Sequence, residues 1–236
     1  MSFTKSAHVL CVLLMLLMAG PGFCGLRDPL SVELPELEVI DGASWYWAGR
    51  RMAVNNVPMS IKLFSYPGKP EDVKAYYLSL LKVKGHGKLS QKAIGDMAII
   101  GFQLDGFQYS VQFSQQGDLV DGKIVVTPSP LNYRESKNTG LPLPPRSKVS
   151  SVVKSLEAGQ RSESVTFETS LGVAHVLDFY ASELLNDGWR RYSGSGDGDQ
   201  GAVVSFQRGG ELLQLNIKGL QGANSTFTQV LINWIK

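Results

Sequence analysis

The 236-residue chain is poor in the residues that begin most chemical arguments. It has two cysteines, Cys11 and Cys24, and both lie within the first two dozen residues. The rest of the chain can form no internal disulfide, even in a compartment that permits one. Of three histidines, only His86 and His175 lie beyond those first residues. Neither has a Cys, His or Glu at metal-ligand spacing. There is no H-E-x-x-H, no G-x-S-x-G, no phosphate loop and no dinucleotide fingerprint. There is also no block of one charge. Lys and Arg number 23 against 21 Asp and Glu, well mixed, for a formal net charge of +2. Such a balance offers no basic stripe to a phosphate backbone, so nucleic acid is not an expected partner. Hydrophobic residues at 43% and charged residues at 19% describe a folded chain rather than a disordered one. This inventory predicts no enzymatic activity and no cofactor.

Long apolar runs are absent except at the start. Lys5 is followed by "VLCVLLMLLMA" from Val9 to Ala19 and then by "GPGFCG". A positive residue, a short apolar run and small residues form the layout of a secretory signal peptide, here read as residues 1–24. The run is shorter than the ~20 residues a membrane span needs. No second such run follows, so no transmembrane segment is expected in the mature chain. Bulky Phe23 stands where lipoprotein signals need a small residue, which argues against a lipid anchor on Cys24. The expectation is export, to the periplasm first and the extracellular space second.

What is present is repetition. "DVKAYYLSLLKVKGH", residues 72–86, and "HVLDFYASELLNDGW", residues 175–189, are related. With Val73 set against Val176, Tyr77 meets Tyr180, Leu81 meets Leu184 and Gly85 meets Gly188. Val73, Tyr76, Tyr77, Leu80 and Leu81 recur at helical spacing, and Val176, Phe179, Tyr180 and Leu184 keep that stripe. Gly85 and Gly188 fall where a helix stops on a left-handed residue. The surroundings repeat as well. "GFQLDG" (101–106) aligns with "SFQRGG" (205–210), each ending in a tight-turn pair. Strict alternation follows each turn, through Phe107, Tyr109, Val111 and Phe113, and through Leu213, Leu215 and Ile217. Each copy reads β-β-α-β-β-β, with its first two strands meeting at a turn, Asn55–Asn56 in the first copy and Gly159–Gln160 in the second. The predicted fold class is therefore α+β: two tandem units, each with one helix on an antiparallel sheet. The first unit is assigned to residues 40–128 and the second to 148–236. A Pro-rich linker at 129–147 joins them.

The second copy resembles a pattern of bacterial cell-envelope proteins, V-x-x-F-Y-x-x-x-L-x-x-x-G-W. It is carried here by Val176, Phe179, Tyr180, Leu184, Gly188 and Trp189. The first copy is looser, with Tyr76 for Phe and His86 for Trp. The resemblance implies an exported bacterial protein with tandem small α+β repeats, and it carries over no catalytic residue.

"WYWAGRRM", residues 45–52, stands out as an interaction surface. Trp45 and Trp47 share one strand face, and Arg50 and Arg51 follow. Trp and Arg are the residues that most often carry binding energy. The bland alternative is that the tryptophans cap the core of the first sheet. Trp189, in the second copy, is a further candidate interaction residue. No metal is expected. "GSGDGDQG", residues 194–201, places Asp197 and Asp199 among glycines, but it lacks the ligands that would complete a calcium loop and reads as a hairpin connection.

Together these features predict an exported, non-enzymatic accessory protein. It would act through protein-protein contacts in the bacterial envelope, with an assembly or secretion protein as partner. The alternative is a module that binds a glycan or small ligand between the repeats. A concave site lined by Trp45, Trp47 or Trp189 would favour that alternative.

Overall fold

A computed structural model of the chain describes residues 28–84, 88–130, 133–197, 200–221 and 226–236. Residues 1–24, read above as a signal peptide and including Cys11 and Cys24, lie outside them, as do Gly85, His86 and Asp199. Twelve strands and two α-helices follow in order. The first half holds β1 (Ser44–Val54), β2 (Val57–Tyr66), α1 (Pro70–Lys84), β3 (Lys88–Ile94), β4 (Met97–Leu104), β5 (Phe107–Gln116) and β6 (Leu119–Pro128). The second holds β7 (Lys148–Glu157), β8 (Gln160–Thr169), α2 (Val173–Asn186), β9 (Arg190–Asp197), β10 (Gly201–Arg208), β11 (Glu211–Gln221) and β12 (Thr226–Ile235).

All twelve strands form one antiparallel sheet, in the order β3-β4-β5-β6-β2-β1-β7-β8-β12-β11-β10-β9. Strand accounts for 57% of the described residues and helix for 15%. This overturns the expected α+β fold of two β-β-α-β-β-β units. Strand dominates, the sheet is continuous, and each half contributes six strands rather than five. The unrecognised strands are β3 and β9, at the two free edges. Every residue of β3 is exposed, and β9 reads RRYSGSGD. Neither carries the apolar alternation by which a strand is recognised.

The continuity rests on a short seam. β1 meets β7 through Met52↔Ser155, Ala53↔Lys154 and Val54↔Val153. Asn55 extends that ladder by one step. Its backbone N–H donates to the Val152 carbonyl at 2.8 Å, and its Oδ1 accepts from the Val152 N–H at 3.0 Å. Asn55 (φ 49°) and Asn56 (φ 69°) form the β1–β2 turn, where both central residues need positive φ. Asp105 and Gly106 do the same between β4 and β5. The β7–β8 turn is Ala158–Gly159, one residue earlier than the expected Gly159–Gln160.

Both helices lie on one face of the sheet. α1 presses Val73, Tyr77 and Leu81 into a core with Phe64, Val111, Phe113 and Ile124. α2 presses Val176, Tyr180 and Leu184 into a second core with Phe167, Leu213, Leu215 and Ile232. Gly188 (φ 79°) ends α2, and the Trp189 N–H returns to the Leu184 carbonyl at 3.0 Å. Two extended arms complete this face. Residues 28–43 bring Leu37 and Ile40 into the first core. In the stretch joining the halves, Leu141 enters the second. The Tyr77 hydroxyl donates to the Glu38 carbonyl at 3.3 Å, and the Tyr180 hydroxyl donates to the Pro142 carbonyl at 2.9 Å. Burial pushes the pKa of both phenols up strongly; for Tyr77, neighbouring Tyr76 adds to the effect.

Candidate binding groove at the junction of the halves

The site grows out of an irregularity in β1. Along β1 and β2 the register slips twice, between Trp47 and Gly49 and between Gly49 and Met52. Bulges of this kind bend a strand and re-aim its side chains. In a regular strand Arg50 and Arg51 would point to opposite faces. Here both line one groove. It has a volume of about 620 Å³ and three walls. Trp47, Arg50 and Arg51 come from β1. Glu33 and Glu36 come from the arm. Glu157 and the Ala158–Gly159 turn come from the second half.

Beneath the groove lies a cation on the buried side of β2. The burial of β2 alternates, so Pro58, Ser60, Lys62 and Phe64 face the core. Lys62 is 5% exposed. Its Nζ donates to Glu36 Oε2 at 3.0 Å and to the Leu37 carbonyl at 3.3 Å. The same ammonium lies 4.7 Å from the Trp45 ring centroid and 4.6 Å from that of Trp47, within reach of a cation–π attraction. The two indoles pack edge to face at 6.2 Å. Glu36 also accepts from Arg50 at 3.0 Å. The Lys62 hydrogen bond, aided by the charges of Lys62 and Arg50, holds the Glu36 carboxyl below the usual carboxylate range. This cluster therefore clamps the arm that walls the groove. At the arm's start, Asp28 pairs with Arg161 of the second half at 2.8 Å. Partial burial works against ionisation of Asp28, but hydrogen bonds from Arg161 and from the Leu30 N–H bring its pKa down.

The predicted site residues do not all meet here. Trp47, Arg50 and Arg51 line the groove. Trp45 packs on Trp47 and remains 48% exposed. Trp189 is elsewhere: it is 3% exposed within the second core, with the Arg208 guanidinium 4.7 Å from its ring centroid. It lines a separate pocket of about 550 Å³ with Asp187, Arg208 and Trp234. There the Trp234 indole N–H donates to Glu211 at 3.2 Å, and Arg208 pairs with Glu211 at 3.0 Å. Lys236 lies 3.6 Å from the centroid of Trp234 and pairs with buried Glu163. Each of the four tryptophans thus has a cation near its ring. His175 is exposed on α2. The side chain of Asp197, like Asp199, lies outside the described residues. Among the described residues, no cluster of three or more His, Cys, Asp or Glu is placed to hold a metal ion. None of the described helices is long and apolar enough to cross a membrane.

Sequence reasoning missed Glu33, Glu36 and Lys62, and it did not bring the β7–β8 turn against them. Lys62 had left a signal: in "MSIKLFSY" it shares the phase of Phe64, the buried one. The arm misled instead: Leu30, Leu34 and Leu37 stand at helical spacing, yet Leu34 and Leu37 lie in a stretch that is neither helix nor strand.

A family model described as START domain-like matches residues 149–226, which span β7 to the start of β12. No curated protein and no solved structure matches the chain.

Proposed function

We propose that the protein is a non-enzymatic binding module that acts after export, in the periplasm or outside the cell, and holds a small ligand in the groove between its halves. The ligand class that fits is a glycan or a related polar molecule bearing an anionic group. One observation carries this reading. At the seam of the sheet a double bulge turns consecutive arginines into a concavity beside Trp47, with walls from both halves. Arg50 is occupied by Glu36. Arg51 is exposed and has no ion pair among the described residues, which leaves its planar fork for an anionic group. Glu33, Glu36 and Glu157 offer acceptors to hydroxyls, and Trp47 offers an apolar wall. The START domain-like match in the second half agrees with a ligand-binding class. The filled cores under both helices, where Tyr77 and Tyr180 are fully buried, favour a ligand held at the surface.

The test is a calorimetric titration with neutral and acidic oligosaccharides, repeated with Arg51→Ala and Trp47→Ala. Saturable binding of an acidic member is expected. A charged hydrogen bond contributes ~1.5–3 kcal/mol, so Arg51→Ala should weaken binding roughly 10- to 100-fold. Absence of binding across the panel, or equal binding by Arg51→Ala, would sink the proposal.

A second reading, an accessory protein acting through protein contacts in envelope assembly or secretion, is supported by the exposure of Trp45 (48%) and Tyr46 (63%). Affinity capture from the native envelope tests it. A partner lost with a folded Trp45→Ala, Trp47→Ala double variant supports this reading; no specific partner refutes it.

A further inference from the structure

Both helices and both arms pack on one face of the sheet, so the opposite face carries no covering layer from them. Cross-strand register identifies which residues point there. Along β6, β2, β1 and β7 they include Val125, Met59, Ile61, Leu63, Tyr46 and Val153. Apart from Tyr46, which is 63% exposed, these side chains are half-buried. They form a continuous apolar strip across the seam. On either side of it the residues turn polar but stay neutral. β5 contributes Gln108, Ser110 and Gln112, and β8 contributes Ser162, Ser164 and Thr166. Away from the strand ends, the charges on this face of these six strands are Asp121 and Lys123, of opposite sign and two residues apart on β6.

A face that only meets water is normally rich in charge. An apolar centre, a neutral polar surround and few charges make the anatomy of an interface. The size agrees. Six strands about 4.8 Å apart, each about eight residues long at about 3.3 Å per residue, present roughly 750 Å². A standard protein–protein interface needs about 800 Å² from each partner.

We infer that this face pairs with the same face of a second copy of the chain, sheet against sheet, to form a two-fold dimer. Its chemistry selects that occupant. A surface without net charge asks for no partner of opposite sign. Serine, threonine and glutamine side chains donate and accept alike, so these ladders satisfy copies of themselves. An isologous contact brings like patch to like patch. The dimer leaves the junction groove open, because Trp47, Arg50 and the arm lie on the helix-bearing side. It does not depend on what the groove binds.

Sedimentation velocity of the full chain from about 1 to 100 µM tests the inference. A dimer is expected, and Ile61→Glu should raise its dissociation constant more than tenfold while the far-UV circular dichroism is unchanged. Ser164→Arg places a charge in the polar surround without touching the apolar centre, so it should weaken the dimer in the same direction if Ile61→Glu fails to fold. Leu185→Lys, on the exposed side of α2, should leave the dimer intact. A monomer at 100 µM, or a dimer unmoved by a folded Ile61→Glu or Ser164→Arg variant, overturns it.

Discussion

Leu37→Ala distinguishes an arm that belongs to the core from one that merely leads into the fold. Leu37 is 2% exposed, and Ile40 of the same arm is 8% exposed. Truncation removes three buried carbons, about 0.8 kcal/mol each, or roughly 2.5 kcal/mol in transfer terms. A residual cavity would add to this, but the arm lies at the rim of the core and can partly settle into the gap. The expected loss is therefore about 2.5–3 kcal/mol, toward the low end of buried leucine truncations. Urea unfolding followed by circular dichroism reads this as a lower midpoint at unchanged slope. Leu141→Ala, at 7% exposure in the other arm, should lose about 2 kcal/mol by the same reasoning. Substitutions in a plain connecting segment stay within about 0.5 kcal/mol. A loss below about 1 kcal/mol for Leu37→Ala would refute the claim that the arm is part of the first core.

Tyr180→Phe removes one buried hydroxyl from the Pro142 carbonyl and should lower stability by about 1 kcal/mol in the same assay, with Tyr77→Phe lower because its bond is longer. Gly122→Ala should lose about 1–3 kcal/mol by overpacking, since a Cβ there would run into the Phe64 ring and stand 2.8 Å from the Gln112 carbonyl oxygen; an unchanged unfolding midpoint would contradict that packing. The depressed pKa values of Glu36 and Asp28 mean that the unfolded chain binds more protons as pH falls. Their contribution is full above the ordinary carboxylate range near 4 and is lost as pH drops through the lower folded values. Hydrogen exchange of arm amides should therefore be pH-independent in its protection from pH 7 to about 5 and lose protection below about 4. Glu36→Gln should flatten much of that response, and a transition near pH 6 would point to a different group.

Much of the chain was legible one element at a time. The helix at 173–186 announced itself through Val176, Tyr180 and Leu184, and its stop through Gly188, because local spacing and backbone freedom decide both. The turns at Asn55–Asn56 and Asp105–Gly106 were readable for the same reason. β3 and β9 were not. An edge strand buries neither face fully, so nothing forces alternation on it. "WAGRRM" was legible as a surface, but not as one wall of a groove. Its partners, Glu36 and Glu157, lie 14 and 107 positions from Arg50. Trp189 was grouped with Trp45 and Trp47 as an interaction candidate, yet burial in the second core beside Arg208 gave it a different place.

The sequence by itself determined where chain direction changes, which faces of strands and helices are apolar, and that no familiar catalytic or metal-binding pattern is present. These are properties of a few neighbouring residues and follow from backbone geometry and hydrophobic spacing. Only the tertiary structure decided that the halves share one sheet, because three residue pairs and one asparagine at the β1–β7 seam make that choice. It alone placed Lys62 between two indoles and under the arm, and it alone brought Arg51 to a wall shared with the second half. Contacts between residues far apart in sequence leave no period to read, since each depends on the register of a strand pairing that local propensity does not set.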